Sequence, residues 1–266
     1  MKPQTLLDHL DQGRLWPAAL SAQAGFGLDA AYVLSLAVRD LRIARGERPL
    51  GYKVGFTNRT IWARYNVFAP IWGTVWDTTL TNCEGEGQVS LARMCQPRLE
   101  PETVFGLKAT PVANASLDGL FDAIGWVATG FEVVQSHLPD WKFLPADTVA
   151  DGGLHAHLLV GPRVPLSRLA KNAGELDALL AHAGVTLLKN DEPVELGQGS
   201  NVLDSPLRAL KHFVDTLRAC PGAPDLRPGD VVTTGTWTDA WAVQPGQRWS
   251  ARFTDPLPAL TVDFIE

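Results

Sequence analysis

The chain has few cysteines, no excess of positive charge and no long apolar run, and each shortage excludes a class of protein. Its three cysteines, Cys83, Cys95 and Cys220, form an odd set without metal-ligand spacing. That excludes a disulfide framework and fits reduced thiols in a reducing cytoplasm. Lysine and arginine number 23 against 29 acids, a net charge of −6, and no basic stripe appears. A nucleic-acid partner is therefore not expected. Glycine, proline or charge breaks every apolar run well before membrane-spanning length, so no membrane partner is expected. Met1 to Leu20 alternates polar and apolar residues without a basic start and an apolar core. No signal peptide is expected, and the predicted location is cytoplasmic.

What remains is an ordinary globular composition, 45% hydrophobic and 20% charged over 266 residues, with enough chain to bury a sizeable core. Nine tryptophans are many for this length. Trp62, Trp72, Trp76, Trp237 and Trp241 fall in loop-like segments, where they suit pocket walls, a subunit interface or the core.

The periodicity changes along the chain. Residues 4–46 read as helical, with Asp29 as N-cap of a second helix that Gly46 ends. Gly51 to Phe56 reads as a short strand, and residues 57–78 as irregular and aromatic. Short strands follow at 88–91, 98–107, 126–135, 156–160, 230–234, 248–253 and 259–264. Helices at 173–184 and 205–219 interrupt them, the latter with Ser205 as cap and Pro206 at its first position. Helices first and a strand-rich body afterwards predict an α+β fold.

The most informative residues are acids. Glu100 and Glu102 stand two apart in a predicted strand, which places both carboxylates on one face. Such a pair alone is most often a solvated strand face. Glu132 lies between Gly130-Phe131 and Val133-Val134, where an unpaired carboxylate costs several kcal/mol. Its alternative is a buried salt bridge to an arginine. Three converging carboxylates need a cation, and hard oxygen donors without a His-Cys cluster suit Mg²⁺ or Mn²⁺.

Six motifs in order carry a resemblance: Gly51-Tyr52-Lys53-Val54-Gly55, Pro97-Arg98-Leu99-Glu100-Pro101-Glu102, Phe131-Glu132-Val133-Val134, Asp140-Trp141-Lys142, Asp147-Thr148-Val149-Ala150-Asp151 and Thr233-Thr234-Gly235-Thr236. The chain resembles the 2-keto-4-pentenoate hydratase and 4-oxalocrotonate decarboxylase branch of the fumarylacetoacetate hydrolase superfamily. The resemblance implies a mixed β-roll over residues 81–266 and an N-terminal helical or α/β cap with a pocket loop over 1–80. It implies a divalent metal on Glu100, Glu102 and Glu132, and a small 2-oxo acid as substrate. The implied reaction is addition of water to a short 2-hydroxy-2,4-dienoate, through its 2-oxo-3-enoate form, giving a 4-hydroxy-2-oxo acid.

The resemblance also implies site roles. Lys53 would face the substrate carboxylate or transfer protons, with Gly51 and Gly55 allowing close backbone approach. Lys142 and Asp151 would assist, Asp151 as proton acceptor or as anchor for a metal-bound water. Thr234 and Gly235 would hold the substrate carboxylate, Arg59 a second carboxylate, and Trp72 and His155 would shape the pocket. Gly152-Gly153-Leu154-His155-Ala156-His157 departs from the small-residue and Asn-Ala pattern of the family. So does the loop from Thr57 to Gly73, which leaves the substrate's identity open. Acylpyruvate hydrolases of the superfamily use a His-Glu dyad, and Thr57 to Asn66 contains neither residue. Decarboxylation of a 4-oxalocrotonate-like diacid and a non-catalytic partner subunit stand as alternatives. A homo-oligomer is expected, with association with a related decarboxylase or hydratase as a further expectation.

Overall fold

A computed structural model describes residues 1–59, 62–65 and 70–266. Of the 57–73 loop, Thr60, Ile61 and residues 66–69 lie outside the described residues.

The strands run in chain order as β1 (Pro49–Gly55), β2 (Ile71–Trp76), β3 (Leu80–Asn82), β4 (Glu86–Ser90), β5 (Arg98–Leu107), β6 (Ile124–Val134), β7 (His155–Val160), β8 (Val164–Pro165), β9 (Gly184–Lys189), β10 (Glu192–Gln198), β11 (Val231–Thr236), β12 (Trp241–Ala242), β13 (Arg248–Phe253) and β14 (Leu260–Ile265). The helices are α1 (Pro3–Gln12), α2 (Leu28–Ala44), α3 (Trp62–Tyr65), α4 (Leu117–Ala123), α5 (Pro145–Ala150), α6 (Leu166–Leu169), α7 (Ala173–His182) and α8 (Pro206–Ala219).

Two mixed sheets form the body. The larger runs β2-β1-β11-β5-β6-β7-β3, with β12 joined to β5 and β8 to β6. The smaller runs β10-β9-β13-β14-β4. The β1/β11, β3/β7 and β14/β4 pairs are parallel and the remaining pairs antiparallel. This is the mixed β-roll with an N-terminal helical cap. β1 and β2 precede residue 80 yet are hydrogen-bonded into the larger sheet, so that sheet runs across the boundary expected there.

The long β5/β6 ladder is the backbone of the site. Its two strands are buried almost end to end. This is why they read as near-continuous apolar runs rather than alternating ones. One side of the body is closed by α7 and α8. In α8, Leu207, Leu210, Phe213, Val214 and Leu217 recur at three and four and are all buried, as an amphipathic helix requires. Ser205 caps it, accepting from Leu207 N, and Pro206 stands at its start.

A second apolar cluster fastens the cap to the segment after β6. It joins Leu6, Trp16 and Leu20 to Phe56, Trp141 and Val149. Ser21 adds two hydrogen bonds to the buried Asp147 carboxylate, at 2.9 Å from N and 2.5 Å from Oγ.

Several expectations change. The 4–46 stretch is two helices, α1 and α2, and α2 is preceded by Gly27 without a side-chain cap; Asp29 lies in its first turn. Residues 71–76 form β2 rather than irregular chain, because they pair in antiparallel register with β1. The 184–198 hairpin was not legible, since β10 is largely exposed and carries Glu192, Pro193 and Glu195. Among the tryptophans placed in loops, Trp237 is fully buried in the main core. Trp72 is buried there too, stacked on Tyr32 at 4.7 Å and edge-on to Tyr52 at 5.8 Å. It is therefore a packing residue, not a pocket wall.

Candidate metal centre

Register brings the acids together. Glu100 on β5 lies directly opposite Glu132 on β6, and Glu102 opposite Gly130. Period-2 alternation then puts all three carboxylates on one face of the ladder. One ligand atom from each lies within 4.8 Å of the others. Glu102 and Glu132 are fully buried, and Glu100 reaches the floor of a cleft.

Each buried carboxylate has one oxygen pinned and one without a donor. Glu102 Oε2 accepts from Gly235 N at 2.7 Å. Glu132 Oε1 accepts from His155 Nδ1 at 3.0 Å and lies 3.2 Å from Lys53 Nζ. Glu102 Oε1 and Glu132 Oε2 are buried with no hydrogen-bond partner among the described residues. Orphaned buried carboxylate oxygens are costly unless something binds them. Three carboxylates and one ammonium leave two negative charges, which a divalent cation neutralises. The all-oxygen donor set suits a hard ion. The residues present therefore fit a divalent metal.

Electrostatics without a cation agree. Burial, opposed by Lys53 but reinforced by Glu102 and Glu132, pushes Glu100 up to about 8. Burial and the Glu132 charge hold Glu102 well above the carboxylate range, and burial raises Glu132 as well. Burial disfavours the Lys53 ammonium, but Glu132, Glu100 and Glu102 outweigh it and hold the amine above its ordinary value. Burial, with Lys53 nearby, holds His155 well below its ordinary value.

Local sequence explains the approach of these elements. Gly51 has φ near +148°, and a Cβ there would lie 1.9 Å from Val231 O. Only glycine lets β1 pair this closely with β11 and deliver Lys53. At Gly235, φ is +106° and a Cβ would meet Thr57 Oγ1 at 1.7 Å.

A small cleft of about 30 Å³ opens beside Glu100 and Lys53. Lys53, Glu100, Thr57, Asn58 and Thr236 supply its polar side chains, and Phe56, Trp141 and Phe143 are among its apolar walls. Of the expected site residues, the fold brings together Glu100, Glu102, Glu132, Lys53 and His155. It places others elsewhere. Lys142 is exposed and lies 3.4 Å from Asp140; its neighbour Trp141 faces the cleft instead. Arg59 is half-exposed and paired with Asp204 at 2.7 Å. Both Asp151 oxygens are taken by His137, from Nδ1 at 2.6 Å and from the backbone N at 2.9 Å. Thr234 is fully buried, its carbonyl accepting from Thr57 Oγ1 at 2.8 Å. Gly235 N–H serves Glu102 rather than a substrate. His155 stands behind Glu132 and does not line the cleft over the carboxylates. Phe56, Asn58, Phe143 and Thr236 were missed; Thr236 and Trp141 lay inside motifs whose neighbours drew attention.

A curled mixed sheet that gathers three carboxylates and a lysine beside one cleft defines a candidate divalent-metal centre. Residues 73–262 match the fumarylacetoacetate (FAA) hydrolase C-terminal family, and the chain belongs to that family. It is 31% identical over 223 residues to a 2-hydroxyhexa-2,4-dienoate hydratase of Comamonas testosteroni, covering 84% of this chain and 81% of that one. It is 30% identical over 250 residues to a 4-oxalocrotonate decarboxylase of a Pseudomonas species, covering 92% of each. The solved structure of 4-oxalocrotonate decarboxylase from Pseudomonas putida G7, complexed with magnesium and adipate, superposes with a TM-score of 0.87 at 25% identity, covering 99% of this chain and 95% of that one.

Proposed function

We propose that the protein is a hydro-lyase, dependent on Mg²⁺ or Mn²⁺, that adds water to a short 2-hydroxy-2,4-dienoate through its 2-oxo-3-enoate form. The product is a 4-hydroxy-2-oxo acid. The observation that carries this reading is the Glu100, Glu102 and Glu132 cluster, with two buried partnerless oxygens and the Lys53 amine beside an aromatic-walled cleft. A divalent cation held there supplies Lewis-acid stabilisation of negative charge on the 2-oxygen of the substrate.

The chain's own residues do the rest. An ammonium has three N–H donors. Lys53 directs one to Gly153 O at 2.8 Å and one to Glu132, leaving the third for an anionic group in the cleft. A substrate carboxylate held there sets the chain of the acid along the walls. Phe56, Trp141 and Phe143 flank the conjugated part and exclude bulk water from it. Overall, hydroxyl adds at C4 and a proton at C3, so atoms and charge balance without a redox partner.

A second reading, decarboxylation of a 4-oxalocrotonate-like diacid, is favoured by the 92% coverage and the 0.87 TM-score. The lining supports hydration of a monoacid over it. Lys53 is the one cation among the described lining residues, and Arg59, the candidate for a second carboxylate, is paired with Asp204 outside the lining. An apolar wall suits a vinyl or methyl end better than an unpaired carboxylate.

The test is an ultraviolet assay with 2-hydroxypenta-2,4-dienoate and with 2-oxohex-3-enedioate, before and after EDTA. Metal-dependent loss of the dienoate chromophore with formation of 4-hydroxy-2-oxopentanoate is expected. Turnover of the diacid alone, with release of CO₂, would replace the hydratase reading with the decarboxylase one.

A further inference from the structure

Behind the carboxylates runs a chain of hydrogen bonds that the proposed chemistry does not use. Thr79, between β2 and β3, is 76 residues from His155 in sequence, yet its Oγ1 lies 2.9 Å from His155 Nε2. His155 Nδ1 lies 3.0 Å from Glu132 Oε1. Trp76 N donates to Thr79 Oγ1 at 3.2 Å.

Donor and acceptor capacity sets the direction of the bond to Glu132. An ionised Glu132 carboxylate accepts only, so His155 Nδ1 carries the hydrogen between them. Nε2 is left to pair with the Thr79 hydroxyl at 2.9 Å, which also lies 3.4 Å from Trp76 O. Thr79 Oγ1 keeps a lone pair for the Trp76 amide. His155 is 7% exposed, so its ring is held within packed surroundings.

Two donors thus converge on Glu132 Oε1, from Lys53 and His155, while Oε2 has no donor. A carboxylate held by one oxygen presents the other at a fixed angle. We infer that Thr79 and His155 form a positioning device that turns Glu132 so that Oε2 alone faces the bound cation. Neither residue touches substrate or metal. Outer partners of this kind typically alter metal affinity about 10- to 100-fold. The inference rests on the metal-centre reading.

The experiment is calorimetric titration of the purified full-length protein with Mn²⁺, comparing wild type, H155L, H155N, T79V and E132Q, with melting of each metal-free protein alongside. H155L is expected to weaken Mn²⁺ binding about 10-fold or more. H155N, which restores an N–H donor, recovers part of the loss. T79V leaves His155 packed but without its hydroxyl partner, and weakens binding several-fold with little change in metal-free melting. A residue that serves packing alone would lower metal-free melting without changing affinity. Wild-type affinity in both H155L and T79V, with E132Q weakened, would overturn the inference and leave the metal centre standing. Wild-type affinity in E132Q as well would remove the metal-centre reading itself. Should H155L fail to fold, T79V decides alone.

Discussion

Glu100 and Glu132 are direct partners across the β5/β6 ladder, so two like charges face each other on a buried strand pair. Opposed like charges destabilise a sheet, and burial makes the cost larger. The arrangement is stable only with a proton or a cation between them.

The first prediction follows from that choice. Glu100 sits at about 8 without a cation, against an ordinary 4.5. A raised carboxyl contributes stability that is present below its unfolded value and lost as pH rises through its folded value. Metal-free protein should therefore lose melting temperature between about pH 4.5 and 8 from this group, and saturating Mg²⁺ should restore it at the alkaline end. Scanning calorimetry at a series of pH values, with EDTA or Mg²⁺, checks this.

Lys53→Met should lower kcat/KM by about 10²-fold or more in saturating metal, because the remaining N–H and the charge facing the cleft are both lost. Steady-state ultraviolet kinetics measure it. Lys142→Ala serves as the comparison and should change kcat/KM less than about two-fold, since its side chain is 81% exposed.

Gly235→Ala should destabilise the fold by at least ~1–3 kcal/mol. The new Cβ would collide with Thr57 Oγ1 at φ +106° and displace the N–H that anchors Glu102. Chemical denaturation and Mn²⁺ titration of this variant should both report a loss.

Asp151 and His137 form a buried pair whose effect is structural. Burial opposes the imidazolium, but the Asp151 charge outweighs it and raises His137 to about 10. With the folded value above the unfolded 6.5, this stability is complete below about pH 6.5 and lost as pH rises to about 10. Asp151→Asn should cost about 3–5 kcal/mol and remove that alkaline dependence. Urea denaturation at pH 6 and pH 10 tests both parts.

Much of the centre was legible in the sequence because its signals are local. Two glutamates two apart, and one glutamate inside an apolar run, declare a shared face and an unpaid burial. Lys53 between Gly51 and Gly55 is equally local. What escaped depends on register and long-range contact. Asp151 reads as an acid near the site until His137 takes both its oxygens. Gly235 reads as a substrate-binding turn until its N–H meets Glu102, 133 residues away. Lys142 was expected at the site, but the 3-10 turn at Pro139–Trp141 aims Trp141 inward and leaves Lys142 in solvent. The β9/β10 hairpin has one exposed edge strand and so little apolar alternation to read.

The most direct measurement is anomalous diffraction at the manganese edge from crystals grown with Mn²⁺. The account predicts one strong peak among Glu100, Glu102 and Glu132, contacted by Glu102 Oε1 and Glu132 Oε2, with Gly235 N and His155 Nδ1 still on the opposite oxygens. A fully occupied peak elsewhere, or protein donors filling those two oxygens with no peak between them, would contradict it.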